Sequence, residues 1–184
     1  MGKFKILDKK FGEVMLLEPT VFGDNRGFFM ETYNAKDLEE VGIKDVFIQD
    51  NQSRSVGKVL RGLHFQTMPH PTSKLVRCIR GEIFDVVVDL REDSDTFKKW
   101  EGFVLSEENK RLLYVPVGFA HGFCVTSGEA EVAYKVNEYF YKECDAGIKW
   151  NDPNVGVEWP FSDPVVSDKD SKLPFLNEIS RFKN

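Results

Sequence analysis

A chain of 184 residues, 41% hydrophobic and 30% charged, fits one globular domain spanning 1–184 and large enough to bury a sizeable core. A net charge of −5 and a pI near 5.3 count against nucleic acid or an anionic membrane as partner, because either would want a basic face. No apolar run approaches the roughly 20 residues that span a bilayer, residues 1–6 lack a leader's apolar stretch, and the odd, widely spaced Cys78, Cys124 and Cys144 suggest neither a disulfide framework nor zinc, so the cytoplasm is the expected compartment.

Sixteen phenylalanines, short Val/Ile/Phe runs and recurrent Gly, Pro and Asp punctuation predict a β-rich sandwich or barrel. Residues 13–18 read as a strand stopped by Pro19; 24–27 is a turn signal, and 28–33 resumes extended chain. The one clear helix is predicted over about 35–41, with Asn34 as N-cap, Gly42 as terminator, and Leu38 and Val41 as a small buried face. Residues 47–53 begin apolar and turn polar, placing Gln49, Asn51 and Ser53 on one face, a pattern that suits a solvated strand as well as a binding row.

Residues 59–66, VLRGLHFQ, read as a strand that carries an arginine, a glycine and one of only three histidines. In a regular pleat Arg61 and His64 point to opposite faces. Gly62 between them is a bulge signal, and a bulge would turn both side chains into one cavity. A Pro-containing loop over 66–73 holds His70, expected at the surface. Residues 74–80 and 83–90 read as two strands joined at Gly81. In the second, Phe84, Val86, Val88 and Leu90 share an apolar face, while Asp85 and Asp89 lie on the other with Val87. Lys74 and Asp85 could then line the interior that holds His64. Strands over 102–105, 112–115, 119–125 and 131–136 follow, giving eight or more short strands and one minor helix. The stretch from Asn151 reads as a packed wrap or short helices.

His64, His70 and His121 form no H-x-H or H-x-x-x-H pair, so a metal site is not expected. Phosphate-loop, dinucleotide and nucleophile-elbow motifs are missing too. A cavity of His, Lys, Tyr, Arg and Asp suits proton transfer beside a carbonyl, with a base, an acid and a cation for the enolate oxygen.

In order along the chain stand DNRGFF at 24–29 with Glu31, QDNQS at 49–53, VLRGLHFQ at 59–66, KLVR at 74–77, GEIFDV at 81–86, GFAHGF at 118–123, Tyr134-Lys135, NDP at 151–153 and SDKD at 167–170. In this series the chain resembles the dTDP-4-dehydrorhamnose 3,5-epimerases over essentially its whole length. The resemblance implies an all-β cupin-type jelly roll, with no metal or other cofactor. It also implies a homodimer in which an N-terminal segment completes the other subunit's site, and a dTDP-4-keto-6-deoxyhexose as substrate. It makes His64 the base, Asp170 the carboxylate behind it, Tyr134 the acid on the opposite ring face, and Lys74 the enolate stabiliser. It gives Arg26, Glu31, Gln49, Asp50, Asn51, Arg61, His121, Tyr139, Phe140, Asp145 and Lys169 to substrate binding. Two departures stand out: the loop before Lys74 reads MPHPTS where the family usually has an Ala-Gln pair, and Phe140 falls where the thymine-stacking residue is usually tyrosine. A single-centre epimerase, a keto-isomerase and a non-catalytic sugar-binding cupin are the competing expectations.

Overall fold

The computed structural model describes residues 3–179, so both ends of the expected 1–184 domain, including Met1 and Gly2 of the leader reading, lie outside the described residues. The expected all-β architecture is what folds. Strands β1 (Phe4–Lys10), β2 (Val14–Pro19), β5 (Gln49–Val56), β6 (Leu60–Gln66), β7 (Lys74–Asp89), β8 (Trp100–Ser106), β9 (Leu112–Val115), β10 (Phe119–Val136) and β11 (Asp145–Gly147) form one antiparallel sheet. Its order is β1-β2-β9-β7-β10-β6-β11, with β5 on β10 and β8 on β7. β3 (Val21–Asp24) and β4 (Gly27–Met30) make a separate hairpin.

The pairs of strands expected on either side of Gly81 and of residues 126–130 are instead two continuous strands of 16 and 18 residues, β7 and β10. Each changes partner midway. β7 pairs β9 through Lys74–Arg77 and β8 through Glu82–Val88; β10 pairs β6 before, and β5 after, a register shift between Val125 and Ala130. Gly81, at φ +74°, lies against that shift, and a Cβ there would sit 2.0 Å from the Glu129 carbonyl oxygen. A glycine in this conformation turns the strand through a corner without ending its ladder, which is why punctuation in the sequence is not a break in the fold.

The alternation in β7 sorts two cores. Val86, Val88 and Leu90 pack with Leu63, Ile148 and Leu176, while Ile83 and Val87 face the cluster of Val76, Leu105, Phe123 and Val132. Asp85 belongs by period to this second, interior side. The helix α1 spans Ala35–Glu40, one residue short of expectation; Asn34 caps it by accepting from the Lys36 and Asp37 amides, and Gly42 sits at φ +96° beyond it. The expected wrap is present as the one-turn helix α2 (Asp168–Ser171) and a 3-10 turn at Leu176–Glu178. Val165 pins this wrap beside β6: its carbonyl accepts from the Leu60 amide at 2.9 Å and its amide donates to the Lys58 carbonyl at 2.8 Å. Among the described residues no helix is long and apolar enough to cross a membrane.

Candidate active site

Gly62 sets the geometry of the site. It adopts φ +136°, and a Cβ there would lie 2.5 Å from the Gly122 Cα, so only glycine fits. The β6–β10 ladder slips at this point: His64 stands opposite His121, but Arg61 stands opposite Phe123, one residue more on β6 than on β10. The bulge turns Arg61 and His64 into the same cavity, as its sequence signal anticipates.

That cavity, about 460 Å³, is walled by Arg61, His64, His121, Phe123 and the wrap residues Lys169 and Asp170. A second cavity of about 300 Å³ lies under Gln49, Asn51, Tyr139, Phe140 and Asp145. His64, Lys74 and Tyr134 line both, so these three side chains stand at the junction.

His64 Nε2 lies 2.8 Å from Asp170 Oδ1. Because a carboxylate only accepts, the His64 Nε2–H donates, and Nδ1 is left as the basic nitrogen for the cavity. Asp170 is 3% exposed, yet its pKa falls: burial opposes ionisation, but the bonds from His64, the Gly62 amide and the Ser167 hydroxyl outweigh it. Ser167 caps α2 and holds Asp170 in place through the Asp170 amide at 3.0 Å.

Lys74 projects into the interior, and although the residue keeps some surface its ammonium is enclosed; desolvation brings its pKa down to about 8 against the pull of Asp85 and Asp145. Its Nζ lies 3.4 Å from the His64 carbonyl oxygen and 3.5 Å from His121 Nδ1. Burial pushes the Tyr134 phenol above its usual pKa, with the Arg61 charge opposing, so it is a protonated donor at neutral pH.

The polar row of β5 faces inward. Gln49 donates to Asn51 at 2.9 Å and both line the second cavity, while Ser53 lines the first. Asp50 does not join them: the strand alternation sends it to the other face, where its side chain is 75% exposed and pairs with Lys135 at 2.6 Å. Lys169 and Asp145, one from each cavity wall, form an ion pair. Arg26 sits at the tip of the β3–β4 hairpin, paired with Asp24 and 85% exposed, and Glu31 bonds to Lys3 and Asn34; neither lines either cavity. His70, expected at the surface, is half-buried, stacked on Tyr141 at 3.5 Å and 3.2 Å from Glu138.

Two residues escaped the sequence reading of the site. Gln66, two positions beyond His64 on the same strand face, donates to the Tyr139 carbonyl at 3.0 Å and accepts from the Tyr141 amide at 2.8 Å, which anchors the aromatic loop. Ser55 continues the β5 row and accepts from Arg61 Nε at 3.0 Å. Period two from His64 and from Ser53 is the signal that could have found both. Among the described residues no group of three or more His, Cys, Asp or Glu side chains is placed to hold a metal ion. Cys78 and Cys124 are buried, and desolvation pushes their thiols up to about 11 and about 12, away from the thiolate form.

The profile of the dTDP-4-dehydrorhamnose 3,5-epimerases matches residues 8–178. The enzyme of that name from Shigella flexneri is 54% identical over 166 residues, 90% of this chain and 92% of its own. The crystal structure of the Bacillus anthracis enzyme, bound to TDP and pyrophosphate, superposes with a TM-score of 0.92 at 49% identity, over 94% of this chain and 99% of that one. The Legionella pneumophila enzyme, in complex with dTDP-4-keto-L-rhamnose, also gives 0.92, at 45% identity over 96% and 95% of the two chains. The β architecture is thus the cupin-like fold of these enzymes, and the chain belongs to the dTDP-4-dehydrorhamnose 3,5-epimerase family.

Proposed function

We propose that this enzyme inverts C3 and C5 of dTDP-4-keto-6-deoxy-D-glucose to give dTDP-4-keto-L-rhamnose, the epimerisation step of dTDP-L-rhamnose formation. The observation that carries this reading is the junction, where a carboxylate-backed imidazole, a buried ammonium and a protonated phenol line the same two cavities. The C4 ketone acidifies the protons on both neighbouring carbons. His64 Nδ1 takes a proton from one ring face, and Asp170 holds its tautomer and supports the imidazolium that forms. Lys74 places positive charge beside the O4 enolate. Tyr134 delivers a proton to the opposite face, which inverts the centre. Repositioning of the sugar lets the same pair serve the second carbon.

Arg61 and Lys169 suit the diphosphate, and the exposed rings of Tyr139 and Phe140 suit the thymine face. Gln49, Asn51, His121 and Asp145 complete the binding walls, and no cofactor is required. Arg26 and Glu31 act in the site of a second copy. This is supported by their absence from the walls of both site cavities in their own chain and by Phe22, Phe28 and Phe29, which are 54%, 59% and 63% exposed on the same hairpin. The enzyme is accordingly a homodimer, and three free cysteines suit the cytoplasm.

Turnover in deuterated water tests the reading. Deuterium at both C3 and C5, in a product that a 4-ketoreductase converts to dTDP-L-rhamnose, is the expected result. Inversion at one centre alone would make it a mono-epimerase, a 3-keto product a keto-isomerase, and binding without exchange a sugar-binding protein.

A further inference from the structure

Asp85 is fully buried, and the reaction as described makes no use of it. Its Oδ1 lies 2.8 Å from His121 Nε2, and its Oδ2 has no hydrogen-bond partner among the described residues. A carboxylate so placed is costly, because it has given up water for one hydrogen bond. Its neighbours along β7 on that face, Ile83 and Val87, are apolar and equally buried, so packing alone calls for a third aliphatic residue.

What the carboxylate does is fix its neighbour. His121 is 6% exposed, and burial lowers its pKa; the Asp85 charge and hydrogen bond oppose this, but with Lys74 and His64 adding to burial the net direction is down, so the ring is neutral. A neutral imidazole carries one N–H. Asp85 claims it at Nε2, and Nδ1 is therefore an acceptor, facing Lys74 Nζ at 3.5 Å. We propose that Asp85, acting through His121, is a positioning residue for the reaction: it makes His121 a hydrogen-bond acceptor for Lys74 and holds the lysine's ammonium, charged, at the junction of the two cavities. This rests on the role given to Lys74 above.

The charges around Lys74 agree. His121 and Tyr134 face it from β10, and His64, with Asp170 behind, from β6. Asp145 acts on it from β11, but is engaged by Lys169 of α2. Asp85 is the larger of the two acidic influences that keep its proton on against desolvation. Without that carboxylate, the buried amine loses its main electrostatic support.

The test is the pH dependence of kcat for Asp85→Asn, whose amide oxygen can still accept from His121 while the charge is gone. In the unaltered enzyme the alkaline limb should fall near pH 8, where Lys74 loses its proton. Asp85→Asn should move that limb down by about one pH unit, roughly a tenfold loss on the alkaline side that recovers toward pH 6. An unmoved limb with normal kcat would make Asp85 a core residue and overturn the proposal. Should the variant not fold, nitrogen-15 NMR of the three histidines in the unaltered enzyme decides. The expected state of His121 is neutral, with its proton on Nε2 across pH 6–9; an Nδ1–H tautomer or a titrating imidazolium contradicts the proposal. Lys74→Met separates the two levels of argument. If it retains activity, the role of the lysine fails; if it is inactive while Asp85→Asn leaves the limb in place, only the role of Asp85 fails.

Discussion

Two carboxylate–histidine pairs face each other across the β6–β10 ladder, with the same 2.8 Å bond and opposite settings. His64 keeps 30% of its side chain exposed and leaves Nδ1 open to the cavity, so it can gain a proton and give it up. His121 keeps 7% and has both nitrogens engaged, one by Asp85 and one by Lys74, so it can only hold its place. In the proposed mechanism, what separates the base from the support is the second ring nitrogen, and burial decides what that nitrogen meets. The carboxylates differ in the same way. Asp170 has both oxygens bonded and arrives on the short capped helix α2, whereas Asp85 is part of a core strand and, among the described residues, has one oxygen bonded.

The comparison can be broken at several points. His64→Ala should produce the largest change, a loss in kcat of about 10²–10⁴-fold or more, since general-base catalysis alone contributes that much. His121→Ala should cost at least tenfold less; equal losses would erase the distinction between base and support. Asp170→Asn keeps the imidazole and forfeits one charged hydrogen bond, which predicts a kcat loss of about 10–10²-fold with little change in KM. A loss matching His64→Ala would promote the carboxylate to an equal partner. Co-expressed Arg26→Ala and His64→Ala chains probe the hairpin's role. Mixed dimers should regain activity that neither parent homodimer has, because one site then combines an intact His64 with the other chain's Arg26. No recovery would return Arg26 to its own subunit. The smallest effect expected is none at all: exhaustive EDTA treatment should leave turnover unchanged, and an activity restored only by a divalent ion would refute cofactor-free proton transfer.

Most of the fold was legible in the sequence because β periodicity and turn chemistry are local. The capped helix at Asn34, the β7 alternation and the bulge at Gly62 all follow from residues within a few positions of one another. The sequence divides β7 at Gly81 and β10 at residues 126–130, because whether a glycine ends a strand or bends it depends on a partner far along the chain: Gly81 pairs with Ala130. The site divides along the same line. Arg61 and His64 reveal themselves through a local oddity, but the sequence cannot say that Asp50 faces away and Gln49 faces in without the register of β5 on β10. Asp85 was visible as an inward carboxylate and its purpose was not, since that purpose depends on His121, 36 residues further along the chain.

The account stands most directly on the division of labour between His64 and Tyr134, and solvent exchange reads it. Tyr134→Phe and His64→Ala would each be incubated with dTDP-4-keto-6-deoxy-D-glucose in deuterated water, with label at C3 and C5 and inversion followed together. With Tyr134→Phe the base can still form the enolate and return a deuteron to the same face. The account therefore predicts deuterium in unepimerised sugar at one or both carbons, with little or no inverted product. His64→Ala should show neither label nor inversion. Undiminished inversion by Tyr134→Phe, or exchange that survives in His64→Ala, would contradict the two-face mechanism.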